Sequence, residues 1–520
     1  MTDYCRYRTT LTHTSNVEKY VKKILASRVY DVAVETPLQV AGNLSRRLDN
    51  HVQLKREDMQ PVFSFKIRGA YNKIVQLDAE ARSRGVIAAS AGNHAQGVAY
   101  AARKLGLKAL IVMGRNTPSI KVDAVRNLGA RVVLHGDAYD AAAAHAVELA
   151  DKHGYVFVHP YDDIDVIAGQ GTVGMEIVNQ HQGVPDAIFV PVGGGGLIAG
   201  IAAYVKYLLP RTKIIGVEAQ GSACLAAALA AKRRVRLPFE SLDLFADGVS
   251  VSQIGKEPFK VARQAVDEVI TATTDEICAA IKDLFDDTRS IAEPAGALAV
   301  AGVKKYVQRG GVSGQKLVAV VSGANVNFDR LRHISERAEV GEEREVILGV
   351  TIPEEVGSFL KFCRTLGKRS VSEFNYRCAG AGDAHVYVGL QVGAREDRER
   401  VLAELAQARY AVSDMTDNEA AKLHVRHMVG GRTLGNTNEL LYRFEFPERP
   451  GALLQFLSGL GGEWNITMFH YRNHGAAWGR VLVGFEAEPR DRGKLTRCLR
   501  KIGYRYWEET ANPAYELFLR

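Results

Sequence analysis

The sequence predicts an α/β fold with mainly parallel sheets, followed by a smaller α+β region made of two repeats. Three observations carry this. From about residue 30 to 330, short β-branched runs alternate with amphipathic helical stretches. The runs are apolar at successive positions, so both strand faces are buried, as in parallel sheets covered by helices. Beyond residue 345 the chain repeats itself: Thr351–Phe362 aligns with Glu445–Phe456, and Phe374-Asn-Tyr-Arg377 matches Phe469-His-Tyr-Arg472.

Taken in order, Gly85–Ser90 reads as a buried strand and Gly97–Gly106 as a helix. Ala109–Met113 is the next strand, Lys121–Leu128 the next helix. Arg131–Leu134 and the helix Ala138–His153 follow. Ala187–Val192 and Lys213–Glu218 are further strands, and Leu317–Ser322 closes the series. The stretch Arg332–Glu345 is charged, and Ser335–Arg344 lacks apolar periodicity, so it reads as a linker or connecting helix. Each repeat reads as strand, Pro-Glu/Gly turn, helix, strand, with Gly357 and Gly451 where the helix starts against a backbone. The expected division is a catalytic domain over 1–331, a linker over 332–345, and repeats over 346–418 and 440–515.

A chain of 520 residues exceeds one hydrophobic core. It is 47% hydrophobic and 24% charged, an ordinary globular balance. The net charge of +8 is spread without a long basic run, which argues against a nucleic-acid footprint. No stretch approaches the roughly 20 apolar residues of a membrane span, and the N-terminus lacks a signal-peptide core. Residues 1–16 are rich in Thr and Arg, but a helical segment with both charges starts by Val17, leaving little room for a transit peptide. The six cysteines are scattered without a CxxC pair, which argues for a reducing compartment and against disulfides or a zinc site. The expected location is the cytoplasm, with no metal.

Four motifs carry chemistry. Lys66 lies between Phe65 and Ile67 as a helix begins; a desolvated lysine becomes a nucleophile able to form an imine with an aldehyde cofactor. Ser90-Ala-Gly-Asn-His-Ala-Gln-Gly97 joins a strand to a helix, where small residues (Ser90, Ala91, Gly92) and the helix dipole favour a substrate carboxylate. Asn93 can donate to a cofactor ring oxygen; His94 reads more as a packing or capping group than as an acid or base. Gly193, Gly194, Gly195 and Gly196, with Leu197, form a backbone nest suited to phosphate, without the lysine of an ATP-type loop or the register of a dinucleotide loop. Ser322-Gly-Ala-Asn325 ends a strand, so Ser322 either meets a heterocyclic nitrogen or caps a helix. Glu293 is either a cap or a site residue.

These motifs, in this order, resemble the tryptophan-synthase β family of pyridoxal-phosphate (PLP) enzymes, fold type II with two subdomains. Closer still, the chain resembles the long, allosteric threonine dehydratases, from about Val29 to the C-terminus, and the repeats resemble their paired ACT-like regulatory modules. The resemblance implies that Lys66 is the Schiff-base lysine and the base that removes the α-proton, and that Asn93 meets the ring's phenolic oxygen. Gly193–Leu197 would wrap the phosphate, Ser322 would meet the pyridine nitrogen, and Phe65 would pack against the ring. It implies elimination of water from L-threonine, also L-serine, with isoleucine inhibiting and valine opposing it in a homotetramer. Effector contacts are expected at Glu448, Arg449, Gly451, Leu453, Phe469 and Tyr471, with the matching segments of the first copy. Ala91 stands where serine racemases of this fold carry a second serine, so racemisation should be weak. The competing readings are a serine dehydratase, a β-replacement enzyme of the same fold, and a catalytically dead amino-acid sensor.

Overall fold

A computed structural model describes residues 14–520, apart from 116, 137–138, 329, 342–343, 378–381, 394, 419–420, 423–424, 428–437, 448–450, 462, 473–477, 514, 516–518 and 520. The chain divides into two compact units between residues 341 and 342.

The first unit holds two sheets. Its strands are β1 (Leu38–Val40), β2 (His51–Arg56), β3 (Val86–Ala89), β4 (Ala109–Met113), β5 (Arg131–Leu134), β6 (Val156–Phe157), β7 (Ala187–Pro191), β8 (Lys213–Ala219), β9 (Glu268–Ala272) and β10 (Lys316–Val321). The larger sheet runs β1-β2-β10-β7-β8-β9, and the smaller β5-β4-β3-β6. Among the described strands the β1–β2 pair alone is antiparallel. Every residue of β3, β4 and β7 is buried, as strands covered on both faces by helices must be. This bears out the expected α/β fold with mainly parallel sheets.

Some helices start earlier than their sequence signals, as the one expected from Lys121 does at Ser119. The helix expected from Gly97 runs Asn93–Lys104, which puts Asn93 in its first turn. Gly97 is there for proximity: a Cβ would come within 3.2 Å of the Lys66 backbone. The helix after the glycine run is Gly196–Leu208, capped by Gly195 at φ 88°, a conformation that favours glycine. Close approach also fixes the helix that Lys66 opens, Lys66–Val75, against the helix Ile164–Gln180. A Cβ on Gly169 would lie 2.6 Å from the carbonyl oxygen of Arg68. The charged stretch after β10 is a helix, Arg330–Gly341, which buries Ile334 and Ala338 and pairs Arg337 with Asp275 at 3.2 Å within the first unit.

The second unit is one antiparallel sheet. Its strands are β11 (Glu345–Pro353), β12 (Val371–Arg377), β13 (Asp383–Gln391), β14 (Ala411–Asp414), β15 (Glu439–Pro447), β16 (Asn465–Arg472), β17 (Trp478–Glu486) and β18 (Arg505–Glu508), in the order β14-β11-β13-β12-β16-β17-β15-β18. Each repeat is therefore longer than the motif seen in sequence: strand, helix, two strands, helix, strand. The turn glycines hold φ 89° (Gly357) and 83° (Gly451). At Gly357 no atom lies within 4 Å of an added Cβ, so backbone conformation, not a close neighbour, demands the glycine. The copies join through β12 and β16, where Asn375 pairs with His470, its own counterpart in the repeat. Phe359, Phe374 and Phe469 meet behind this joint with ring centroids 5.0–5.8 Å apart.

Candidate functional site

Lys66 opens its helix, and its Nζ donates to the carbonyl oxygen of Pro160 at 3.0 Å. Burial pushes this amine down to about 8, against an opposing pull from the charge of Glu293. The Phe65 ring centroid is 5.3 Å from Nζ. The backbone N–H of Phe65 donates to the carbonyl oxygen of Ser322 at 3.2 Å, so the lysine turn and the end of β10 are stitched together.

A charged cluster anchors the same helix from behind. Arg68 is fully buried and holds Glu57 at 2.7 Å and Glu176 at 2.6 Å; Lys55, also buried, pairs with Glu176 at 2.6 Å. Two cations face two carboxylates, which is what makes such burial tolerable.

The loop after β3 behaves as its residue types suggest. Ser90 Oγ accepts from the N–H of Gly92 at 3.2 Å. Asn93 Nδ2 donates to Glu293 Oε1 at 2.6 Å, and Asn93 Oδ1 accepts from Asn325 Nδ2 at 2.7 Å. Glu293 precedes the helix Pro294–Gly310 but makes no capping bond; its side chain turns to the site instead. Burial, then the charge of Asp247, raises its carboxyl to about 7. His94 Nε2 donates to the carbonyl oxygen of Val158 at 2.8 Å, and burial, with the charge of Lys66, pushes the ring down to about 3. The ring is thus neutral, and among the described residues Nδ1 has no partner.

The glycine run fits a phosphate. A Cβ on Gly193 would lie 2.9 Å from Val249 Cα, and one on Gly194 would overlap the Tyr161 ring. The first N–H groups of the helix Gly196–Leu208 lack intrahelical acceptors, as at any helix start. Leu197 is buried in the first turn. Ser322 is buried, and its Oγ donates to the carbonyl oxygen of Ala295 at 3.3 Å. Among the described residues the next helix begins at Arg330, so Ser322 caps none.

Sequence reasoning missed the segment Val158–Asp163, which ties these parts together. Val158 receives His94, Pro160 receives Lys66, and Tyr161 packs on the glycine loop. Asp163 Oδ1 caps the helix Ile164–Gln180. The one legible signal was Asp163 ahead of an apolar-periodic stretch.

In the second unit the structure places the expected effector residues unevenly. Glu448 and Arg449 lie outside the described residues. Phe469 is fully buried at the joint. A cleft between the repeats is lined by Gly357, Phe359 and Tyr376, first-copy counterparts of Gly451, Leu453 and Tyr471, facing Leu457, Trp464 and Ile466.

Residues 29–323 match the family model for pyridoxal-phosphate dependent enzymes, and residues 336–425 and 430–519 each match the C-terminal regulatory domain of threonine dehydratase. The chain is 55% identical to a biosynthetic L-threonine dehydratase of Burkholderia multivorans over 96% of its length and 99% of that protein. It is 53% identical to the Escherichia coli enzyme of that name, over 96% and 97%. Among solved structures, the processed form of threonine deaminase isoform 2 from Solanum lycopersicum superimposes with a TM-score of 0.60 at 48% identity, covering 62% of this chain and 93% of that one. The chain belongs to the pyridoxal-phosphate dependent enzymes and, within them, to the biosynthetic threonine dehydratases.

Proposed function

We propose that the protein is a threonine ammonia-lyase, releasing 2-oxobutanoate and ammonia from L-threonine for isoleucine biosynthesis, with Lys66 as its catalytic residue. The observation that carries this is Lys66 itself: a half-buried lysine whose amine desolvation lowers to about 8, held by Pro160 next to Tyr161, whose ring packs on a glycine run that excludes side chains. The threonine preference follows the full-length similarity to biosynthetic L-threonine dehydratases.

The residues present fit PLP. Lys66 Nζ would be its covalent attachment point, Gly193–Leu197 would hold its phosphate, Asn93 its ring oxygen and Ser322 its ring nitrogen, with Phe65 beside it. When bound, PLP supplies an electron sink conjugated to the substrate's Cα. Ser90, Ala91, Gly92, Asn93 and His94 cradle the substrate carboxylate at a helix N-terminus. Lys66 Nζ, when free and neutral, would be the base that takes the Cα proton. Ser322 offers a neutral hydroxyl, so no carboxylate holds a proton on the ring nitrogen, which favours prompt loss of the β-hydroxyl. His94 is neutral and supplies no proton. Ala91 carries no acid for the opposite face, which favours elimination over racemisation.

Oxoacid release from threonine without added thiol tests this reading. Release only on adding a thiol would indicate a β-replacement enzyme, and release from serine alone a serine dehydratase.

The inter-repeat cleft supports amino-acid regulation, isoleucine inhibiting and valine opposing. Tyr376→Ala is expected to weaken isoleucine inhibition by roughly tenfold or more while leaving the uninhibited rate intact. An unchanged inhibition curve removes the cleft as the site. A homotetramer is the matching assembly, checked by light scattering. The free thiols Cys224, Cys278, Cys363 and Cys498 accord with a cytoplasmic setting.

A further inference from the structure

Asn93 is useful to a ring oxygen only in one of its two amide orientations, since one end donates and the other accepts. The surrounding hydrogen bonds decide which. The carbonyl oxygen of Val62 can only accept, so the end of Asn325 facing it, 2.8 Å away, is the NH2 group. That group's second hydrogen goes to Asn93, at 2.7 Å, so the Asn93 atom facing it is the oxygen. Asn93 Nδ2 therefore faces Glu293, whose Oε1 accepts at 2.6 Å. One hydrogen of Asn93 is left over for a ligand. The chain works with Glu293 charged or neutral, because a protonated carboxyl keeps one bare oxygen.

Glu293 is held in turn by the strand end it faces. A Cβ at Gly323 would lie 2.5 Å from Glu293 Oε1, so the glycine leaves room for the carboxylate. The N–H of Glu293 donates to the Gly323 carbonyl at 3.1 Å. One turn, Ser322-Gly-Ala-Asn325, thus carries the residue that would meet the ring nitrogen, Ser322, and the residue that holds Asn93, which would meet the ring oxygen.

We infer that Asn325 and Glu293 are positioning residues that lock Asn93 with its remaining amide hydrogen directed at the cofactor's ring oxygen. This rests on the reading that PLP sits on Lys66 with its ring oxygen at Asn93.

The test uses the PLP-loaded full chain and reads the visible absorbance band and its pH titration, alongside cofactor content and turnover. Asn325→Asp has no hydrogen to donate, so Asn93 turns its oxygen away from residue 325. The band and its titration are expected to shift at full cofactor content, and kcat to fall by roughly tenfold or more with KM little changed. Glu293→Ala is expected to shift the band as well, and Glu293→Gln, which keeps an acceptor oxygen, to restore it. A wild-type spectrum and titration in fully loaded Asn325→Asp overturns the inference. So do identical spectra for Glu293→Ala and Glu293→Gln, a comparison that stands even where Asn325→Asp fails to fold. A fall in melting temperature or cofactor content with an unmoved band means mere structural support and also overturns it. A wild-type protein with no visible band on adding PLP overturns the underlying reading separately.

Discussion

Lys66 Nζ and the carbonyl oxygen of Pro160 lie 3.0 Å apart, and among the described residues no carboxylate lies within ion-pairing distance of that amine. A backbone carbonyl accepts a proton donor without repaying the loss of water around a full charge. That is why burial wins over the more distant Glu293.

The rate at which cofactor-free protein takes up PLP should follow from this. An amine lowered to about 8 is neutral in roughly a tenth of molecules at pH 7. Uptake, followed by the growing visible band, should rise with pH and level off above about 8. A profile still climbing at pH 10 contradicts the lowered amine. Borohydride reduction followed by peptide mapping should place the cofactor on Lys66. Lys66→Ala should lose roughly 10²–10⁴-fold in rate.

Glu293 gives the cofactor-free protein a distinct pH dependence. Its carboxyl is raised from 4.5 to about 7, so between those values the native state binds more protons than the unfolded one. Its share of stability is fully present below pH 4.5 and is lost as pH rises through about 7. Asp247 adds to the shift, while Lys121 and the bond from Asn93 oppose it. Glu293→Gln removes the titration, so its melting temperature should gain on wild type as pH rises across this window. Parallel melting curves across it would refute the raised carboxyl.

Arg68 should matter for folding more than for chemistry. Arg68→Leu strips the buried Glu57 of its ion pair and leaves Glu176 with Lys55 alone, at a cost of about 3–5 kcal/mol, read by urea denaturation. Arg68→Lys should recover little, since a point charge cannot serve both carboxylates as a planar fork does. Stability within about 0.5 kcal/mol of wild type in either variant would mean the cluster relaxes freely.

The glycine nest predicts a steric pair. Gly194→Ala drives a methyl into the Tyr161 ring and should weaken PLP binding by roughly tenfold or more. Adding Tyr161→Ala should restore part of the affinity, measured by equilibrium dialysis. No recovery would mean that the loop's backbone, not the ring, is at fault.

Much of this was legible in the residues, and the failures have physical causes. The strand runs were plain because both faces are apolar, and the glycine run because four such residues are costly without a purpose. Gly97 misled as a helix start because it serves a tight approach to the Lys66 backbone, a tertiary fact with no local signature. Nothing in the spacing of Arg68, Glu57 and Glu176 shows that they meet. Only the partners of Glu293, from Asn93 to Gly323, decide between the two roles its sequence position allowed. The second half of each repeat went unseen because its strands keep their pattern while sharing few identities between copies.

The pairing of Asn375 with His470 has an evolutionary reading. Two separate, identical modules meeting through this strand would place the same residue opposite itself, and any change in one cleft would be copied into the other. Once the modules share a chain, each position is encoded twice. The side chains at this seam have already diverged, one an amide and the other an imidazole, so the two copies need no longer favour the same small molecule.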